Sequence, residues 1–327
     1  MQEEPFESDK HDQQPARSRL RRILRWVPAA TIVLAVTLCW GVVLRGGMEG
    51  VAAWYLLMSP VPLLGLVFLA TVLVYAIWKR RFSRPMFATL MMSLFALGSA
   101  AWPLGLMSIT YPTSIDSTAP STTVRLPADV PLKVAWGGDN VAVNMHAATP
   151  DQRWAYDLLV ESYLTDSENL EDYGCYGIPV VAPVTGRVAI AHDGEPDMKP
   201  GRSSMNFKAP LGNHIVIELA TKTYLIIAHL KPNNVTVVAG QEVEEGQVIG
   251  QCGNSGNTSE PHIHIHHQRQ DPAVFPVLFA EGLPLYFRDH DGPPMPEGGL
   301  KEEDGQIIAT GMVVQHRGKN ELRTQGQ

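Results

Sequence analysis

Between residues 261 and 266, histidines recur at alternate positions, with His262, His264 and His266 separated by Ile263 and Ile265. In a strand this alternation puts the three imidazoles on one face and the isoleucines on the other. Imidazoles two residues apart lie about 7 Å apart at their Cα atoms, so one can bind a metal while the other reaches its water. Taken alone, the pattern equally suits a strand whose histidines face solvent. Three further residues bear on it. In residues 152–158, Trp154, Tyr156 and Leu158 alternate on an apolar face, so Asp157 points the other way. A carboxylate placed like this beside a packed strand either caps a hydrogen-bond network or ligates a cation. His146 precedes it in Asn144-Met145-His146. Residues 224–230 are apolar on both faces except at His229, which is either a neutral core histidine bonded to backbone or a functional one.

The elements that must carry these residues read as strands. Short runs rich in β-branched residues recur at 179–189, 214–219, 224–230, 235–238, 248–250 and 262–266, and helical periodicity is scarce there. The pattern predicts a mainly β domain, a small antiparallel barrel or sandwich, with glycines such as Gly186, Gly240 and Gly246 at tight turns between hydrophobic steps. Lipoyl and biotinyl carrier domains and the membrane-tethered adaptors of efflux pumps share those turns, so they specify fold and not activity. A carrier needs an exposed lysine at a hairpin tip, and the one candidate, Lys199, lies between Pro196 and Pro200.

The first third of the chain is of a different kind. Of the 327 residues only 18% are charged, and the deficit is concentrated in uncharged runs at 26–44, 50–78 and 85–109. Each is near or above the ~20 apolar residues that cross a bilayer. Three transmembrane α-helices are therefore expected, with a kink at Pro60 and Pro62. Arg17, Arg19, Arg21, Arg22 and Arg25 precede the first run, and Lys79, Arg80, Arg81 and Arg84 lie between the second and third. By the positive-inside rule both clusters are cytoplasmic, so the protein is a multi-pass membrane protein whose chain beyond residue 109 is extracytoplasmic. That part carries 15 Lys and Arg against 27 Asp and Glu, a net charge of −12. Such a balance argues against nucleic acid as a partner. The expected organisation is a cytoplasmic tail (1–25), three helices (26–109), a Ser/Thr/Pro-rich tether (110–130), the β domain (131–290) and a C-terminal tail (291–327), with one short strand at 307–314.

Five segments together resemble the lysostaphin-type, LytM-like zinc endopeptidases. They are His146 with Asp157, the Gly-x-Pro-Val-x-Ala-Pro-x-x-Gly-x-Val stretch at 177–188, Gly212-Asn213-His214, Ala228-His229-Leu230, and Gly250-x-x-Gly-Asn-Ser-Gly-Asn followed by His262-Ile263-His264. The resemblance covers residues 136–287 in the family's order. It implies that His146, Asp157 and His264 hold one Zn²⁺, and that His229 and His262 stand unligated beside it as catalytic residues. It also implies a substrate class, the peptides of peptidoglycan stems or cross-bridges. One departure is visible: the family commonly spaces its first ligands His-x-x-x-Asp, whereas position 153 is Arg153 and His146 lies eleven residues before Asp157. His192 and His214 are the alternatives for that ligand. Two imidazoles and a carboxylate leave a fourth tetrahedral position open, as in catalytic zinc sites. The rival function is a catalytically silent protein of the same fold that docks on wall polymer or activates other hydrolases.

Cys175 and Cys252 lie beside glycines in turn regions flanking the proposed site, and an oxidising compartment would permit a disulfide between them. Asn254, Tyr224 and Asn213 are candidates for substrate contact, each with an ordinary turn or packing role as the alternative.

Overall fold

The computed structural model describes residues 13–201, 206 and 208–318. The chain divides into two compact units, residues 1–107 and 108–327. Of the expected cytoplasmic tail, residues 1–12 lie outside the described residues, as do 319–327 of the expected C-terminal tail.

The first unit is helical: α1 (Gln13–Leu24), α2 (Val27–Val43), α3 (Gly47–Met58), α4 (Pro60–Lys79) and α5 (Arg84–Gly98). The expected second span is not one kinked helix. Proline disfavours helical backbone in the residue before it, and Ser59 leaves the helical region at φ −127° and ψ −66°, so α3 stops there and Pro60 starts α4. Among the described residues, one run, Gly47–Lys79, is long and apolar enough to cross a membrane. The helices at the other two expected spans are shorter: α2 has 17 residues and α5 has 15. The run that begins at Pro85 leaves α-helix at Gly98 for a 3-10 turn, Ser99–Ala101, and Pro103 and Gly105 follow. The helices turn apolar side chains outward, among them Leu66, Val74 and Ile77, the last 76% exposed.

The second unit is built of short strands: β1 (Thr122–Val124), β2 (Leu132–Trp136), β3 (Tyr156–Leu159), β4 (Pro179–Val181), β5 (Gly186–His192), β6 (Asn213–Glu218), β7 (Tyr224–Leu230), β8 (Glu242–Val243), β9 (Val248–Gln251), β10 (Ile263–Gln268), β11 (Gly282–Leu283), β12 (Leu285–Phe287), β13 (Leu300–Glu303), β14 (Gln306–Ala309) and β15 (Val313–Val314). The main sheet runs β15-β2-β3-β10-β7-β6-β5-β8, with β11 also paired to β10. Its strand pairs are antiparallel. Alternation gives its two faces different jobs. Val134, Leu158, Ile215, Ile217, Leu225, Ile227, Ile263 and Ile265 point into the main core, which β4 and β9 close as a separate two-stranded sheet. The other face carries Asp157 and the alternate histidines of β10, with a small apolar patch of Val216, Ile226 and Ala228 beside them.

The segment expected to be a tether is packed into this unit. Tyr111 and Leu126 are buried, and β1 pairs in parallel with β12, Thr122 opposite Leu285. A few apolar side chains decide its fate against its polar average. The described part of the expected tail also belongs to the fold, because β15 extends the main sheet beside β2 and β13 pairs with β14. Gly311 interrupts the single strand expected at 307–314; a Cβ there would meet the Val134 carbonyl oxygen. Residues 235–238 form no strand, and Val238 is 67% exposed.

Candidate metal centre

β10 lies between β3 and β7, and the register sets His264 directly opposite Asp157 on one side and Ala228 on the other. Directly opposed residues of an antiparallel pair point to the same face. His264 Nδ1 accordingly meets Asp157 Oδ1 at 2.8 Å, and His146 Nε2 meets the other carboxylate oxygen at 2.8 Å. The eleven-residue gap between His146 and Asp157 is closed by Asn144. Its side chain is fully buried, its Nδ2 donates to the carbonyls of Gly138 and Ala155, and its Oδ1 accepts from the backbone N–H of His146. Nothing in the sequence marks Asn144 for this work, since only the fold brings Ala155 beside it.

His229 and His262 stand against this group, with ring centroids 4.8 Å apart and that of His229 5.5 Å from His264. His229 occupies the left-handed region at φ 64°, uncommon for a residue with a Cβ. Its Nδ1 lies 2.8 Å from the Ser255 carbonyl, and His262 Nδ1 lies 2.7 Å from the Glu260 carbonyl. Carbonyls only accept, so in the neutral rings both Nδ1 atoms carry hydrogen and both Nε2 atoms present a lone pair. Burial holds the His229 imidazole well below its ordinary range, reinforced by His262 and His264. Burial alone would lift the Asp157 carboxyl, but the imidazoles of His146 and His262 bring it well below the usual carboxylate range. The same contact outweighs burial at His262 and raises it.

The donor atoms of His146, Asp157 and His264 all lie within 4.8 Å of one another, as do those of His229, His262 and His264. Two imidazoles and one carboxylate in such a cluster fit the ligand types and number of an open zinc site. The first set includes the anionic donor that matches a divalent cation. An open groove of about 940 Å³ leads to these residues. Ile190 and Leu211 line it, as does a loop carrying Pro272, Pro276, Val277 and Leu278 that sequence reasoning assigned no part in the site. The signal for that loop was a cluster of apolar residues between prolines outside any strand. His192 and His214, the alternatives for the first ligand, stack on each other at 5.2 Å in the groove wall instead of joining the cluster.

The three substrate candidates are placed elsewhere. Asn213 is fully buried, and its amide bonds the Glu195 and Leu230 backbone. Asn254 is likewise buried, donating to the Met198 carbonyl and accepting from Thr258. Both brace loops beneath the site. Tyr224 sits at the opposite end of β7 from His229, five residues or about 17 Å of strand away. Asn257 and Thr258 do line the groove. Cys175 and Cys252 form a disulfide, with Cα atoms 5.8 Å apart.

Residues 171–276 match the family model described as Peptidase family M23. Among solved structures, the chain is similar to the catalytic domain of the prophage-encoded M23 protein EnpA from Enterococcus faecalis, at 16% identity over 49% of this chain and 94% of that one, TM-score 0.31. It is similar to the catalytic domain of lysostaphin from Staphylococcus simulans at 18% identity, over 46% of this chain and 84% of that one, TM-score 0.27. It is also similar to a zinc containing peptidase from Vibrio cholerae at 19% identity, over 45% of this chain and 36% of that one, TM-score 0.26. Residues 171–276 of the β unit thus carry a Peptidase family M23 domain.

Proposed function

We propose that this protein is a membrane-anchored zinc endopeptidase that hydrolyses peptide bonds in peptidoglycan stems or cross-bridges. The observation that carries this reading is the convergence of His146, Asp157 and His264 on one point, beside two further histidines whose Nδ1 atoms are held by backbone carbonyls, which leaves Nε2 as the atom turned to the chemistry. His146, Asp157 and His264 hold the metal; His229 and His262 remain outside its ligand set. Bound zinc supplies Lewis acidity toward a water and toward a scissile carbonyl. His262, braced by the Glu260 carbonyl, accepts a proton from the attacking water at Nε2 and returns it to the leaving amine. His229, held by its backbone and by Ser255 and kept neutral by burial, turns its Nε2 lone pair toward the site, where it accepts a hydrogen bond from the attacking water and orients it. The groove orients an extended peptide across the two histidines and keeps bulk water to one side.

The membrane attachment rests on charge and apolarity. Two basic clusters, at 17–25 and 79–84, flank α2, α3 and α4, so both lie in the cytoplasm only if the chain between them crosses twice. α2 makes one crossing and α3 with α4 the other; α5 makes a third and delivers the β unit to the extracytoplasmic face. The apolar side chains that the helices turn outward support a lipid environment. The protein's partners are then the bilayer and the peptides of the wall, and its cofactor is Zn²⁺.

The test is release of peptide fragments from purified sacculi by the full chain in detergent. Cleavage that requires zinc and stops with a chelator is the expected result. A chain that binds zinc and releases nothing contradicts the enzyme reading and favours the silent wall-binding alternative.

A further inference from the structure

His264 continues, on the side away from Asp157, into a hydrogen-bonded chain that the proposed chemistry leaves unused. Its Nε2 lies 2.9 Å from His266 Nδ1, and His266 Nε2 lies 3.2 Å from Gln268 Oε1. Gln268 Nε2 in turn donates to the Gln270 carbonyl at 2.6 Å. His264, His266 and Gln268 occupy alternate positions of β10, and none is more than 2% exposed.

The far end sets the direction of the whole chain. A backbone carbonyl can only accept, so Gln268 turns its NH₂ to Gln270 and its oxygen to His266. That oxygen also only accepts. His266 therefore carries its hydrogen on Nε2, and in the neutral ring that burial favours, Nδ1 is an acceptor. His264 must then donate from Nε2, which in its neutral ring leaves the lone pair on Nδ1, the atom facing Asp157 at 2.8 Å.

We propose that His266 and Gln268 are positioning residues that hold His264 in the one tautomer able to ligate a metal through Nδ1, anchored on the Gln270 carbonyl. The proposal rests on the reading of His264 as a metal ligand. The device has a specific opponent: without the chain, Asp157 favours the other tautomer, in which Nδ1–H donates to its carboxylate and both groups are lost to the metal. A partner on the remote nitrogen of a ligating histidine is the usual way to prevent this.

The test titrates zinc against a competing chelator with the full chain in detergent micelles, for wild type, His266→Leu, His266→Asn, Gln268→Leu and His146→Ala. His266→Leu removes the acceptor and is expected to weaken zinc binding about 10- to 100-fold. His266→Asn keeps an acceptor oxygen near the position of Nδ1 and should stay within about threefold of wild type, a rescue that a packing role would not give. Gln268→Leu breaks the chain one link further out and should weaken binding by at least about threefold. Wild-type affinity in His266→Leu overturns the proposal, as does an equal loss in the Leu and Asn variants. If His266→Leu does not fold, judged by the unfolding midpoint of the metal-free chain, unchanged affinity in Gln268→Leu overturns it instead. A wild-type chain that binds no zinc overturns the metal reading itself, whereas loss in His146→Ala with none in the β10 variants overturns only this inference.

Discussion

His264 on β10 stands directly across the sheet from Asp157 on β3, with Nδ1 2.8 Å from the carboxylate. Residues 107 positions apart in the chain are thus fixed against each other by backbone pairing, before any metal contributes. A slip of one residue between β3 and β10 would turn either side chain into the apolar core, where Leu158 and Ile263 now sit. The core therefore enforces the register on which the donor set depends.

Replacing His229 or His262 by alanine should lower kcat by about 10² to 10⁴ while leaving bound zinc at the wild-type ratio. Turnover on a soluble wall peptide, with metal content measured on the same sample, checks this. Loss of metal together with activity in both variants would move these histidines into the ligand set.

The Cys175–Cys252 disulfide closes a loop of 77 residues. Chain-entropy reasoning gives such a cross-link about 4 kcal/mol. Thermal unfolding of the Cys175→Ser, Cys252→Ser double variant should show a midpoint lower by several degrees, with reductant having no further effect on it. Equal midpoints for variant and oxidised wild type would contradict the bridge's structural role.

Acid should weaken the β unit through His267. This ring is buried, its Nδ1 hydrogen serves the Pro284 carbonyl, its Nε2 faces the Thr223 hydroxyl at 2.7 Å, and burial brings it from 6.5 down to about 4. The unfolded chain therefore binds one more proton between those two values, so stability falls as pH drops from 6.5 toward 4. The full loss is about 3 kcal/mol. Burial also lowers His214, His229, His264 and His266, so the His267 share is the part of the pH 7 to pH 4 difference in urea stability of the metal-free protein that His267→Gln removes. An unchanged pH slope in that variant would rule His267 out as the source.

Gly212 has φ +56°, and a Cβ there would meet Ser255 backbone atoms at 2.4 Å. Gly212→Ala should cost at least about 2 kcal/mol from backbone conformation and the forced shift together. Because Ser255 braces His229 and the Leu211 carbonyl accepts from the His229 amide, activity should fall in the same variant. Wild-type stability and kcat would show that the close approach is not needed.

How far the sequence anticipates this arrangement follows from the range of each interaction. The alternation of His262, His264 and His266 and the opposite alternation around Asp157 are local patterns, and a strand preserves them in space. The clasp that brings His146 to Asp157 is not local, because it depends on Asn144 reaching the carbonyls of Gly138 and Ala155. Composition misled over 110–130, where a polar average conceals Tyr111, Val124 and Leu126, each buried. For Asn213 and Asn254 residue type suggests substrate contact, yet full burial commits the Asn213 amide to the Glu195 and Leu230 backbone and the Asn254 amide to the Met198 carbonyl and the Thr258 hydroxyl. The break at Ser59 was legible in Pro60 and Pro62, but a proline pair reads equally as a kink, and only the backbone of Ser59 decides between them.

Zinc content is the most direct measurement of the central claim. Wild-type full chain, purified in detergent and dialysed against trace zinc, should retain one zinc per chain by elemental analysis, and His264→Ala, with the same fold by circular dichroism, should retain almost none. Equal zinc in the two proteins, or none in the wild type, would contradict the account.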